Sequence, residues 1–200
     1  MSPILLTGFE PFAGASANPS QMIVERLEGT PGLVTAVLPV EYDRAADHLI
    51  KLVAEHQPSA VICLGQAEGR TAISVERIAV NLDDTNLADN SGELRVDQAI
   101  DGAAASAFFS TLPVKEIVEA INHAGVKASQ SLSAGAFVCN HIFFELQKTL
   151  QGTSVPSGFI HVPLVPEQSS EFAGVPTMPL DDQVRAIGVA LNVVGLENNK

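Results

Sequence analysis

Two hundred residues suit one domain, and a chain of that length buries about 70% of the surface it exposes when unfolded. Apolar residues make up 46% and charged residues 17%, a composition that excludes intrinsic disorder. Lys and Arg number 11 against 23 Asp and Glu, a net charge of −12 with no basic cluster, which argues against nucleic acid and anionic membrane surfaces as partners.

No apolar run reaches the ~18–20 residues that span a bilayer. Met1-Ser2-Pro3 lacks the basic region of a secretory signal. Two cysteines, Cys63 and Cys139, make no disulfide framework, so the expectation is a reduced, cytoplasmic protein.

In chain order, Ile4-Leu5-Leu6 reads as a short buried strand ending at Gly8. A turn-rich stretch from Pro11 follows, and Ser20 can cap a helix to about Leu27. Leu33 to Leu38 is a second strand. Asp43, as N-cap, precedes Ala46, Leu49, Ile50 and Val53, the spacing of an amphipathic helix. Ala60 to Leu64 is a central strand stopped by Gly65, and the alternation from Ile73 to Leu82 predicts another strand. Asp83 to Asp101, rich in Asp, Asn and Gly, is a long loop with room for a small hairpin, and loops of this length in compact domains usually serve function or are disordered.

Pro113 opens a helix that Gly125 closes. Val126 to Leu132 is a strand, Val138 to Leu150 a helix, and Phe159 to Val162 a strand ending at Pro163. A loop then runs to Asp181, which can cap a last helix carrying Val184, Ile187, Leu191 and Val194. Strand and helix alternate throughout, which predicts an α/β fold: a three-layer α/β/α sandwich around a mostly parallel twisted sheet, as one domain over 1–200. Ligands in such sheets bind beyond the carboxyl ends of the strands.

Dinucleotide, P-loop and serine-hydrolase elbow motifs are absent, and no cofactor is expected. His141 and Glu145 stand four residues apart on one helix. Without further ligands they read as a local polar pair and not as a metal site.

Cys63 lies within Val61-Ile62-Cys63-Leu64 and reads as an inert buried thiol. Cys139 shares a helical stripe with Ile142, Phe143 and Leu146, so a core role is open to it. The small-residue turn Ser133-Ala134-Gly135-Ala136 also puts it in the first turn of a helix, where free N–H groups favour a thiolate and can hold an oxyanion. A cysteine nucleophile needs an imidazole. His141 lies about 200° round the helix from Cys139, and His48, His56 and His123 fall among charged neighbours. His161, in Phe159-Ile160-His161-Val162-Pro163, reads either as a hydrogen-bonded core residue or as a base at the same sheet edge. Glu76 alternates with Ser74, Ile78 and Val80, and a carboxylate on an apolar face must be solvated or paired. Cys139, His161 and Glu76 can thus form a nucleophile, a base and its orienter.

The same residues stand in five ordered blocks. These are Leu6-Thr7-Gly8-Phe9-Glu10-Pro11-Phe12 with Asn18-Pro19-Ser20; Gly65-Gln66-Ala67 with Gly69-Arg70; Val75 to Asn81; Ala134-Gly135 with Phe137-Val138-Cys139-Asn140-His141; and Gly158 to Pro163 with Pro166-Glu167-Gln168. Together, from about residue 4 to about residue 194, they resemble the pyroglutamyl peptidase I (pyrrolidone-carboxylate peptidase) family. The resemblance implies a cysteine exopeptidase that removes N-terminal pyroglutamyl residues from peptides, with Glu76, Cys139 and His161 as its triad. It implies that Phe9, Phe12, Phe137 and Val138 wall a substrate slot in which Gln66 and Asn18 are able to bond the lactam or backbone. It also implies a homotetramer. The family's Gly-Gly-Arg stands here as Glu68-Gly69-Arg70, and the Asp83–Asp97 loop diverges while keeping Asp89-Asn90-x-Gly92. Another thiol hydrolase of small amides, such as a glutamine-amide hydrolase, is favoured if Gln66 and the Phe9–Phe12 segment lie far from Cys139. An inactive ligand-binding relative is the other alternative; the intact triad argues against it, because a binder has no need to keep all three residues, and a solvent-accessible Cys139 with a depressed pKa discriminates the two.

Overall fold

The computed structural model describes residues 2–196; residue 1 and residues 197–200 of the expected 1–200 domain lie outside the described residues. The chain runs β1 (Ile4–Phe9), α1 (Pro19–Arg26), β2 (Leu33–Leu38), α2 (Tyr42–His56), β3 (Ala60–Gln66), β4 (Ile73–Glu76), β5 (Ile78–Val80) and β6 (Ala107–Phe109). It continues through α3 (Val114–His123), β7 (Ala128–Ser131), α4 (Val138–Thr149), β8 (Ser157–Val162), a 3-10 turn (Pro166–Ser170) and α5 (Leu180–Val193).

Six strands form one sheet in the order β2-β1-β3-β8-β4-β7. Its pairings are parallel except that of β4 with β8. Strands β1 and β8 are buried along their whole length, because helices cover both faces, and this is why such strands read as unbroken apolar runs. Ile4, Leu6, Ile62, Leu64, Ile160 and Val162 point to the face packed by α1, α3 and α5. Leu5, Phe9, Val61, Cys63 and Phe159 point to the opposite face, under α2 and α4. The expected three-layer α/β/α architecture is what the chain adopts.

The run from Ile73 to Leu82 is two strands, not one. It breaks at Arg77, whose N–H bonds Ser131 O on the main sheet while its carbonyl accepts Ser110 N. Beyond the break, β5 joins β6 in a separate two-stranded sheet. Glu76 therefore shares a sheet face with Ser74 and not with Ile78 and Val80. The N-cap of α1 is Asn18, whose Oδ1 accepts the Ser20 N–H; Ser20 lies inside the helix. Asp43 and Asp181 likewise lie in the first turns of α2 and α5, each two residues past the cap positions Glu41 and Pro179. The 83–101 stretch is a loop without a hairpin strand, closed at its base by the Asp83–Gln98 bridge.

Candidate active site

Strand alternation decides which side chains share a face. Gly65 on β3 and His161 on β8 are register partners in a parallel ladder, so both look toward the α2/α4 side. In the antiparallel ladder between β8 and β4, Ser74 faces His161 directly and Glu76 is its diagonal neighbour on that face. The His161 Nδ1–Glu76 Oε1 distance is 2.9 Å, with Glu76 fully buried and His161 4% exposed.

Cys139 comes from the other layer. Gly135, at φ 77°, supplies the left-handed turn that lets the chain leave β7 and enter α4. The thiol then rests on Gly65. A Cβ at position 65 would lie 2.7 Å from Cys139 Sγ and 2.8 Å from Phe159 Cζ, so only glycine leaves room for the sulfur. Cys139 thus sits over the strand position that pairs with His161. The N–H groups of Val138, Cys139 and Asn140, unpaired by helix geometry, find no acceptor elsewhere among the described residues. The start of α4 is pinned by Asn140, whose amide accepts Val80 N–H at 3.0 Å and donates to Val80 O at 2.9 Å and Leu82 O at 3.0 Å.

Arg70 closes the outer side of Glu76. Its guanidinium donates to Ser74 Oγ at 3.1 Å, to Glu76 Oε1 at 3.4 Å and to Ser133 O at 3.1 Å. It joins the carboxylate to the turn that leads into Cys139. Glu76 Oε2 is buried with no partner among the described residues. The Cys139 thiol is not depressed. Burial pushes it up to about 12, and the Glu76 carboxylate adds to the shift. At this thiol, desolvation beside a carboxylate outweighs the free N–H groups of the helix start.

Beside the thiol lies a small, mostly apolar pocket lined by Phe9, Phe12, Asn18, Val40, Gln66, Phe137, Val138 and Cys139. All six residues expected in the slot meet there, and Val40 joins them. Its only sequence signal was a position just past a strand end. Gln66 Oε1 accepts from Gln168 Nε2 at 2.9 Å, which orients its own NH₂ as a donor. The Asn18 amide is held in place, Oδ1 by Ser20 and one Nδ2–H by Glu10 O, which leaves its second N–H as a donor at the wall. Gln66, Phe9 and Phe12 adjoin Cys139, which removes the ground on which a glutamine-amide hydrolase was favoured.

His141 does not pair with Glu145. Its Nδ1 lies 2.8 Å from Asp83 Oδ2, while Glu145 binds Lys148. No cluster of metal-ligating residues occurs among the described residues. Cys63 is fully buried, His48 and His123 are exposed and His56 is half-buried.

The family model described as pyroglutamyl peptidase matches residues 2–197. Pyrrolidone-carboxylate peptidase of Vibrio vulnificus is 43% identical over 191 residues, covering 94% of this chain and 90% of that protein. The enzyme of the same name from Gloeobacter violaceus is 43% identical over 201 residues, covering 98% of each. A crystal structure of pyroglutamyl peptidase I from Bacillus amyloliquefaciens superposes with a TM-score of 0.94 at 36% identity, covering 98% of this chain and 96% of that one.

Proposed function

The chain belongs to the pyroglutamyl peptidase family and is a cysteine peptidase that removes N-terminal pyroglutamyl residues, and on that premise we propose that Cys139, His161 and Glu76 carry the reaction. The observation that supports this most is the stacking of Cys139 Sγ on Gly65, the register partner of a histidine held 2.9 Å from a buried carboxylate.

The Cys139 thiol passes its proton to His161 Nε2, since Nδ1 is committed to Glu76. The sulfur attacks the carbonyl carbon of the pyroglutamyl–X bond, and the resulting oxyanion takes hydrogen bonds from the N–H groups at the start of α4. His161 then gives its proton to the leaving amine as the C–N bond breaks, leaving a thioester. Water, deprotonated by His161, attacks the thioester; pyroglutamate leaves and the thiol is restored. Glu76 fixes the tautomer of His161 and stabilises its imidazolium.

The lactam has no charge to grip, so specificity comes from fit. Phe9, Phe12, Val40, Phe137 and Val138 enclose the ring, and the free NH₂ of Gln66 is the donor for its carbonyl oxygen. No helix among the described residues is long and apolar enough to cross a membrane. A single catalytic domain over 1–200, a cytoplasmic location and a homotetramer complete the proposal, the last tested by sedimentation.

The deciding assay follows release of a fluorescent amine from a pyroglutamyl amide under reducing conditions, with a prolyl amide as control. Turnover of the pyroglutamyl substrate alone, lost in Cys139→Ala and blocked by a thiol alkylator, is the expected result. An active Cys139→Ala variant overturns the assignment of the nucleophile.

A further inference from the structure

Between Leu94 and Val96, which are 49% and 56% exposed, the side chain of Arg95 is only 12% exposed. A charged side chain turned inward with aliphatic neighbours turned outward reverses the usual order. Its guanidinium meets a separate carboxylate through each nitrogen: Nε to Glu93 at 2.7 Å, Nη1 to Asp83 at 3.1 Å and Nη2 to Asp43 at 2.8 Å. It also lies over the Tyr42 ring, 4.5 Å from the centroid. Lysine can neither fork three ways nor stack in this manner.

Tyr42 stands between Arg95 and the pocket. Its ring packs edge-on against Phe137 at 5.6 Å, and Phe137 meets Phe12 at 6.0 Å. The loop that carries Arg95 also grips the backbone behind each pocket wall. Asp84 N–H bonds Ala136 O, next to Phe137. Asn90 N–H bonds Val40 O, and the Asn90 side chain bonds Glu10 Oε1 and Pro11 O, just before Phe12. Asp89 Oδ2 accepts the Tyr42 N–H at 3.1 Å. The 83–97 loop is thus a buttress behind three separate segments of one pocket, and Arg95 ties it to α2 through Asp43 and to α4 through the Asp83–His141 pair.

We propose that Arg95 is a substrate-positioning residue, the clasp that holds the 83–97 loop and Tyr42 against Phe137 and so sets the width of the pyroglutamyl slot. This rests on the slot assigned under the proposed function. Arg95 acts mainly at the ring-binding end: it reaches α4 only through Asp83 and His141, and the start of that helix is pinned separately by Asn140 to Val80 and Leu82. Its loss weakens ground state and transition state alike, which raises KM and spares kcat.

The test is steady-state kinetics of Arg95→Ala and Arg95→Lys on a pyroglutamyl coumarin amide, with 2-pyrrolidone as the bare-lactam inhibitor and iodoacetamide as a thiol probe that has no lactam. In Arg95→Ala, KM and the inhibition constant of 2-pyrrolidone rise together by about tenfold, while kcat stays within about threefold. Arg95→Lys falls between it and the wild type, and the iodoacetamide rate is unchanged in both. Adding Arg95→Ala to Phe137→Ala raises KM no further, because the clasp works through that ring. An unchanged KM in folded Arg95→Ala or Arg95→Lys overturns the role of Arg95 alone. A collapse of kcat and alkylation together in Arg95→Lys, the milder change, makes Arg95 a support of the whole fold and overturns the proposal. Wild-type protein that is alkylated at Cys139 but turns over no pyroglutamyl amide overturns the slot assignment, and this inference with it.

Discussion

Glu76 approaches His161 across the one antiparallel pairing of the six-stranded sheet described here, with Oε1 2.9 Å from Nδ1. Because β4 runs against β8, the residue two places past Ser74 lies deeper in the sheet than His161. The carboxylate is therefore fully buried beneath the imidazole, while the histidine lies near the carboxyl end of its strand, where ligands of α/β sheets gather. Arg70, one-third exposed, is the carboxylate's contact toward solvent.

Replacing Glu76 by Gln keeps the shape but lets an amide NH₂ meet Nδ1, which favours the tautomer that cannot accept the thiol proton. The expected result is a fall in kcat on the order of 10³–10⁴-fold with little change in KM. Steady-state kinetics beside a thermal melt will separate this from unfolding. Full activity in Glu76→Gln means that His161 takes its orientation from another group.

Gly65→Ala tests the stacking of the thiol on the strand. The added methyl has less than 3 Å to Cys139 Sγ and to the buried Phe159 ring, so one of them must move. Overpacking of this kind costs about 1–3 kcal/mol, and displacement of a nucleophile by about 1 Å costs on the order of 10²-fold in rate. We expect a lower melting temperature and a kcat reduced by at least that factor. A variant with wild-type turnover places the working position of the sulfur elsewhere.

What the sequence made legible were the features with a local cause. Helical stripes on α2, α3 and α5, the buried runs of β1 and β3, and the small-residue turn before Cys139 all stand in their own segments. The features that escaped depend on distant partners. Asp43 was expected to cap α2, yet the N–H of Tyr42 goes to Asp89, 47 residues away, across the long loop. The break at Arg77 is hidden because β4 and β5 continue the same alternation while pairing in different sheets. Strand β6 has three residues and no periodicity to read. In the pocket, the engagement of Asn18 and the contribution of Val40 become visible only once β1, β2 and α1 are side by side.

Burial of Cys63 carries a prediction about stability in alkali. Its thiol is pushed up to about 12 by loss of solvent, while in the unfolded chain it ionises near pH 9. Between those values the folded state keeps a proton that the unfolded state has released, so stability is full below about pH 9 and falls as pH rises toward 12. The slope is about 1.4 kcal/mol per pH unit for this one group. Urea unfolding at pH 8, 9.5 and 10.5 will show the decline, and Cys63→Ala will show a slope shallower by one proton. Equal slopes would mean that Cys63 ionises in the folded protein as it does in the unfolded chain.

Cys139 is held up in the same way, and this constrains how its nucleophile arises. A thiol raised by burial and by the Glu76 carboxylate stays largely protonated at pH 7. Under the proposed mechanism the thiolate is therefore made by transfer to His161, and reactivity at neutral pH belongs to the pair and not to the sulfur alone. In wild-type protein, iodoacetamide is expected to alkylate Cys139 readily at pH 7. In His161→Ala the rate at pH 7 falls on the order of 10²-fold or more, then climbs as pH rises into the alkaline range. In Glu76→Ala the negative charge that raises the thiol is gone, so the rise comes at lower pH than in His161→Ala, even though turnover is poor. Alkylation of His161→Ala at the wild-type rate would show that the helix start ionises the thiol without the histidine.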